Sequence, residues 1–285
     1  MNPLFLIIAD GTTFFAGLAL VLISEGLLIR LRNFISRLIL TVLAIIGVIL
    51  LFISATPLPL WVYATWVIPA IFCLVLLNLA SPPQRSVLVC FTILFVSTIG
   101  LWVVEAPYLR LPSLAVPNGS TIYVLGDSIS AGTGTNERCW PTVLDEMLSC
   151  RVVNLAQAGA TVDDAIFQAK GISDPRSLVI IEIGGNDMIG GTNATVFQTK
   201  LKSLLSSLSS NQHQVLLFEL PLFPSQNAYG KAQRDAVRKY GAVMLPKRFF
   251  AKVLRTKNGT LDGLHLSQNG HNALARIVAD VIHEK

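Results

Sequence analysis

Four long apolar runs in the first 105 residues, approximately Leu4–Ile29, Leu38–Thr56, Leu60–Ala80 and Val87–Val104, constrain this chain more than any other feature. A helix needs about 20 mostly apolar residues to cross the hydrocarbon core of a bilayer. Inside that core every backbone N–H and C=O must be bonded within the segment. The spacing therefore predicts four membrane-spanning helices, with polar or Pro-rich breaks at Arg30–Arg37, Thr56–Pro59 and Ser81–Arg85. Charge follows the same division. Of 22 Lys and Arg residues only Arg30, Arg32, Arg37 and Arg85 lie in residues 1–105, and of 17 Asp and Glu only Asp10, Glu25 and Glu105. All four histidines lie beyond. Over 285 residues, 52% are apolar and 14% charged, against about 25% charged in ordinary soluble domains. This excludes disorder and a single water-soluble globule. No basic cluster interleaved with aromatics points to nucleic acid.

No Lys or Arg precedes the first run and no small-residue cleavage site follows it, so it reads as a retained span and not a cleaved signal. The first and third breaks carry the arginines and the second carries no charge. Positive loops stay in the cytoplasm. Both ends of a four-span region are then outside, and residues 106–285 are expected beyond the cytoplasmic membrane, on its periplasmic or extracytoplasmic side. Asp10 and Glu25 are expected near the ends of the first span, where side chains can reach the interface. Pro69 is expected to kink the third.

Ala106–Ser120 holds Pro107, Pro112 and Pro117 and reads as an extended linker between a membrane region (1–105) and a soluble domain (121–285). Five short apolar runs follow: Thr121–Leu125, Val152–Leu155, Leu178–Ile183, Gln214–Glu219 and Ala242–Leu245. Continuous apolar strands suit a sheet buried on both faces. Helical stretches lie between and after them, at about 138–149, 162–170, 195–210, 227–240 and 268–283, with Ser267 as N-cap of the last. The alternation predicts a five-stranded parallel sheet in a three-layer α/β/α sandwich. Its chemistry belongs beyond the carboxyl ends of the strands.

Polar signals fall there. Gly126-Asp127-Ser128 after the first strand offers a nucleophile, and equally an ordinary helix N-cap. Gly159 after the second could present a backbone N–H, or simply close a loop. Asn186 in Gly184-Gly185-Asn186-Asp187 could donate to an oxyanion or close an Asx-turn. Asp262 stands three residues before His265, so its carboxylate can orient that imidazole as a general base. His213, His271 and His283 read as packing or capping residues. Lys247, Arg248, Lys252, Arg255 and Lys257 read as a solvated helix face, with anionic lipid headgroups as the other possibility.

These four blocks, in this order, resemble the SGNH (GDSL) hydrolase family over about residues 120–283. The wording around Ser128 and Asn186 is similar to its thioesterase/lysophospholipase/arylesterase branch. The resemblance implies a flavodoxin-like fold and a serine hydrolase with Ser128 as nucleophile and Asp262 and His265 as its acid and base. It places the oxyanion hole at the Ser128 and Gly159 N–H groups and the Asn186 side chain. Leu266 departs from the branch, which often has proline there. No metal or cofactor is implied, and Cys73 and Cys90 fall in the spans. The expected activity is hydrolysis of esters or thioesters of acyl lipids through an acyl-enzyme. Two other readings remain: an O-acetyl esterase or acetyltransferase on envelope polysaccharide, and a transport or scaffold protein with an inactive domain. Oligomeric state is not encoded legibly.

Overall fold

The computed structural model describes residues 3–31, 33–79, 81, 83–133 and 137–284. Arg32 and Pro82 of the predicted breaks, and Ala80, lie outside the described residues. The chain divides into two compact units: Ile7–Pro107 with Phe223–Ser225, and Met1–Leu6 with Tyr108–Leu222 and Gln226–Lys285.

Where the sequence suggests one N-terminal span there are two helices, α1 (Pro3–Ala9) and α2 (Thr12–Arg30). The break has a local cause. Gly11 takes φ 83°, and Asp10 Oδ1 accepts the Thr12 N–H at 2.8 Å. Three more helices follow: α3 (Phe34–Phe52), α4 (Leu60–Leu77) and α5 (Gln84–Glu105). α2 to α5 are each long and apolar enough to cross a membrane. α3 starts four residues before the apolar run because Asn33 Oδ1 caps the Ile35 and Ser36 N–H groups. Gly17 and Gly47 bring α2 and α3 together: a Cβ on Gly17 would lie 2.6 Å from the Gly47 carbonyl oxygen. Small residues allow such close backbone approach where lipid supplies no hydrophobic drive. Trp66 Nε1 donates to Thr98 Oγ1 at 2.7 Å, joining α4 to α5. Arg37 donates to the Leu28, Leu31 and Leu77 carbonyls, closing the ends of α2 and α4. Glu25 is fully buried beside the Cys73 thiol of α4.

The second unit holds a five-stranded parallel sheet of β2 (Thr121–Gly126), β3 (Arg151–Asn154), β4 (Leu178–Glu182), β5 (Gln214–Phe218) and β6 (Val243–Leu245). Their order is β3-β2-β4-β5-β6, and every neighbouring pair is parallel. The order reverses at β2, so the switch point lies between β2 and β4. Right-handed crossovers put α7 (Trp140–Asp145) on one face, and α8 (Val162–Gln168), α10 (Ala194–Ser210) and α11 (Asn227–Tyr240) on the other. α12 (Lys247–Arg255) and α13 (Gln268–Val281) follow β6. Trp140, Phe197, Phe218, Ile122 and Leu125 are fully buried in the core.

Two elements depart from expectation. Residues 106–120 are more than a linker: Leu114–Val116 forms β1, which pairs in parallel with β7 (Ile282–Glu284). Of these, Ile282 and His283 were expected to belong to the closing helix. Lys247 leaves the basic face and is buried, its backbone N–H donating to Glu219 Oε2 at 3.1 Å.

Candidate active site

Each predicted block sits at the carboxyl edge of the sheet. After β2 the chain turns through Asp127, whose Oδ1 caps the Ile129 N–H at 2.9 Å and starts the short helix α6 (Ser128–Ala131). Ser128, at its first position, is half-buried. A Cβ on Gly126 would meet Ser130 Oγ at 2.7 Å, so this tight turn requires glycine. Gln168 of α8 clasps Gly126 from the side, bonding both its N–H and its C=O at 3.0 Å.

After β4, Gly184 adopts φ 116° and faces Phe197. This starts α9 (Gly185–Ile189) and projects Asn186. Asn186 Nδ2 donates to Asp127 Oδ2 and to the Ala160 carbonyl, each at 3.1 Å. Its amide is thus fixed before any substrate arrives. Asp187 is buried, and its Oδ2 accepts the Val162 N–H at 2.9 Å, holding the start of α8. Burial pushes the Asp187 carboxyl up.

The loop after α12 closes through a bridge between Thr260 and Leu266, and Leu266 is buried. The apolar side chain thus occupies the position after the histidine without opening the loop. Asp262 curls back within it. Its Oδ1 accepts the Leu264 and His265 N–H groups at 2.9 and 2.8 Å, and its Oδ2 lies 2.6 Å from His265 Nδ1. The hydrogen bond from His265, with the backbone donors, holds the Asp262 carboxyl well below the usual carboxylate range. With Nδ1 engaged, Nε2 is the ring nitrogen left for chemistry.

Ser128, Asn186 and His265 border one cavity of about 270 Å³. Asp262 supports His265 from outside it. Gly159, at φ 79° in the loop after β3, is not among the lining residues. Its neighbour Ala160 ties that loop to Asn186. Most of the remaining wall is apolar: Met188, Ile189, Leu220, Leu222, Phe250 and Leu254. Two of the other histidines serve the scaffold. His271 Nδ1 accepts the Trp140 N–H and His213 Nδ1 the Ser177 N–H.

Sequence reasoning passed over Asp127 and Glu182, which also line the cavity. A usable signal existed for Glu182, an acid inside the otherwise apolar run Leu178–Ile183.

Residues 124–273 match the GDSL-like Lipase/Acylhydrolase family. The chain is 31% identical over 161 residues to Esterase TesA of Pseudomonas aeruginosa, covering 51% of this chain and 79% of that protein. It is 26% identical over 183 residues to an arylesterase of Vibrio mimicus, covering 59% of this chain and 90% of the relative. It is 24% identical over 190 residues to the thioesterase 1/protease 1/lysophospholipase L1 of Escherichia coli, covering 61% and 88%. A crystal structure of TesA superimposes with a TM-score of 0.50 at 26% identity, covering 56% of this chain and 97% of that one. The esterase EstA from Pseudoalteromonas shares the fold, with a TM-score of 0.51 at 21% identity over 57% and 96%. The chain belongs to the GDSL-like lipase/acylhydrolase family and is a serine ester hydrolase.

Proposed function

We propose that this protein is a membrane-anchored hydrolase that cleaves acyl esters or thioesters of lipids outside the cytoplasm. One observation carries the proposal: Ser128, Asn186 and His265 open onto a single cavity whose remaining wall is mostly aliphatic and aromatic. Such a wall takes up an acyl chain, worth about 0.8 kcal/mol per buried CH₂.

In this mechanism His265 Nε2 accepts the Ser128 proton as Oγ bonds to the acyl carbon. The carbonyl π electrons move to oxygen, and the oxyanion is met by the Ser128 and Gly159 N–H groups and by Asn186 Nδ2. His265 gives its proton to the leaving oxygen or sulfur as that bond breaks. Water then attacks the acyl-serine, passing a proton to His265, and the second collapse frees the acid and returns the proton to Ser128. Asp262 stays ionised throughout and stabilises the imidazolium.

The test is turnover of p-nitrophenyl esters of increasing chain length by the full chain in detergent micelles. Ser128-dependent kcat/KM should rise from acetyl to longer chains. A preference for acetyl would favour an O-acetyl esterase instead, and no Ser128-dependent turnover on any ester would defeat the assignment. Membrane anchoring has its own test. The arginines of the first and third breaks predict that a reporter active only outside the cytoplasm works when joined after residue 285 and fails when joined after Arg85. The reverse pattern would overturn the orientation.

A further inference from the structure

Beneath the nucleophile lie two carboxyl groups that the ester chemistry leaves without a task. Asp127 and Glu182 are 4% and 1% exposed. They follow and end neighbouring strands, where β2 and β4 pair Gly126 with Glu182. The two carboxyl groups are close neighbours that bear on each other's charge, and both border the same cavity. Two carboxylates buried side by side cannot readily both ionise, so the pair holds one proton and one negative charge. Asp127 is the ionised partner, because it accepts from Ile129 N and Asn186 Nδ2 and faces His265. Glu182, the more deeply buried, keeps the proton and accepts from Ser130 Oγ at 3.0 Å.

We propose that Asp127 and Glu182 form a proton-sharing dyad that sets how firmly Asn186 is held, and so how readily its amide meets the oxyanion. The proposal rests on Asn186 being an oxyanion donor, as argued above. Both Asn186 hydrogens are engaged, by Asp127 and by Ala160. A forming oxyanion draws on the first in competition with Asp127. The proton donated by Glu182 drains charge from Asp127 and tips that competition toward substrate. Loss of the proton tightens the grip of Asp127 and places a second negative charge beside the oxyanion. Both acids are positioning residues that act through Asn186.

The surroundings isolate this effect. Among the described residues, His265 is the further titratable group whose charge bears on Asp127. The neighbours from α6, α7, α8 and α9 are the neutral Ser130, Trp140, Gln168 and Asn186. The other cavity walls, on α12 and after β5, are apolar. Burial and the Asp127 charge push Glu182 well above the ordinary carboxylate range, so it holds its proton to higher pH than an ordinary carboxyl does.

The experiment compares full-length wild type with E182Q in detergent micelles. The infrared difference spectrum at neutral pH should show the C=O band of a protonated carboxyl in wild type alone, and its absence overturns the shared proton. Wild-type kcat should fall by about tenfold or more on the alkaline side, whereas E182Q, which still donates to Asp127 but cannot ionise, should lose less than about twofold. Glu182→Ala should lower neutral-pH kcat about tenfold with little change in KM, short of the roughly 10²–10³-fold cost of losing an oxyanion donor. An E182Q profile that falls in step with wild type overturns the role of the dyad even where the band is present. Should E182Q not fold, the difference against Asp127→Asn decides the proton, because the carboxyl band must then shift or vanish. Ser128→Ala, run alongside, separates the failures: surviving turnover would defeat the site assignment, while the infrared band still decides the dyad.

Discussion

Ser128→Ala is expected to lower kcat for ester hydrolysis by at least about 10⁴-fold while the protein stays folded. The size of the effect follows from the division of labour in the site. Removing the hydroxyl removes the bond-forming atom, so only donor contacts and substrate binding remain to assist attack by water. The fold should not notice. Among the described residues the Ser128 backbone carbonyl accepts from Gly132, and the turn itself is held by Asp127, Gln168 and Ser130. A double variant with His265→Ala should be little worse than either single change, because nucleophile and base act as one unit. The measurement is kcat and KM on a short p-nitrophenyl ester, with a thermal melt as control. Activity within tenfold of wild type would show that the nucleophile lies elsewhere.

Arg234→Ala should destabilise the α/β unit by about 3–5 kcal/mol, because it strands a buried carboxylate. Arg234 Nε donates to Glu219 Oε1 at 2.7 Å, with side chains 6% and 0% exposed. The guanidinium also lies 3.5 Å from the centre of the Tyr108 ring. Burial alone would push Glu219 up, but the Arg234 and Lys247 charges outweigh it and hold the carboxyl below its ordinary value. A depressed carboxyl stabilises the fold above its unfolded-state pKa and loses that contribution as pH falls through the folded-state value. Arg234→Ala should therefore lower Tm by on the order of 10 °C at neutral pH and narrow its gap to wild type in acid. Replacing Glu219 and Arg234 together with apolar residues of similar volume should cost far less. A neutral-pH loss below about 1 kcal/mol, the level of an exposed pair, would contradict this account.

The sheet was legible because strands buried on both faces announce themselves as unbroken apolar runs, and all five begin and end within a residue of their sequence-assigned limits. The site blocks were legible because the fold delivers them to one edge in fixed order. What escaped depends on partners distant in sequence. Ile282–Glu284 reads as the tail of a helix, yet pairs with Leu114–Val116 because a strand partner is there to take its backbone. Lys247 reads as one more exposed cation until Glu219 is seen beside it. The burial of Glu25 against α4 is likewise set by helix packing and not by its own segment. The pairing of Asp127 with Glu182 is set by strand register, which no local pattern displays.

The strand order has a consequence for how such an enzyme can change. The proposed bond-making groups come from the turns after β2 and β4 and from the 256–267 loop, whereas Leu220, Leu222, Phe250 and Leu254 come from the segment after β5 and from α12. Much of the apolar wall thus comes from chain segments that carry none of the proposed reacting groups. Substitutions there can retune preference stepwise while the bond-cleaving apparatus keeps its geometry, so new diets are reachable without passing through an inert ancestor.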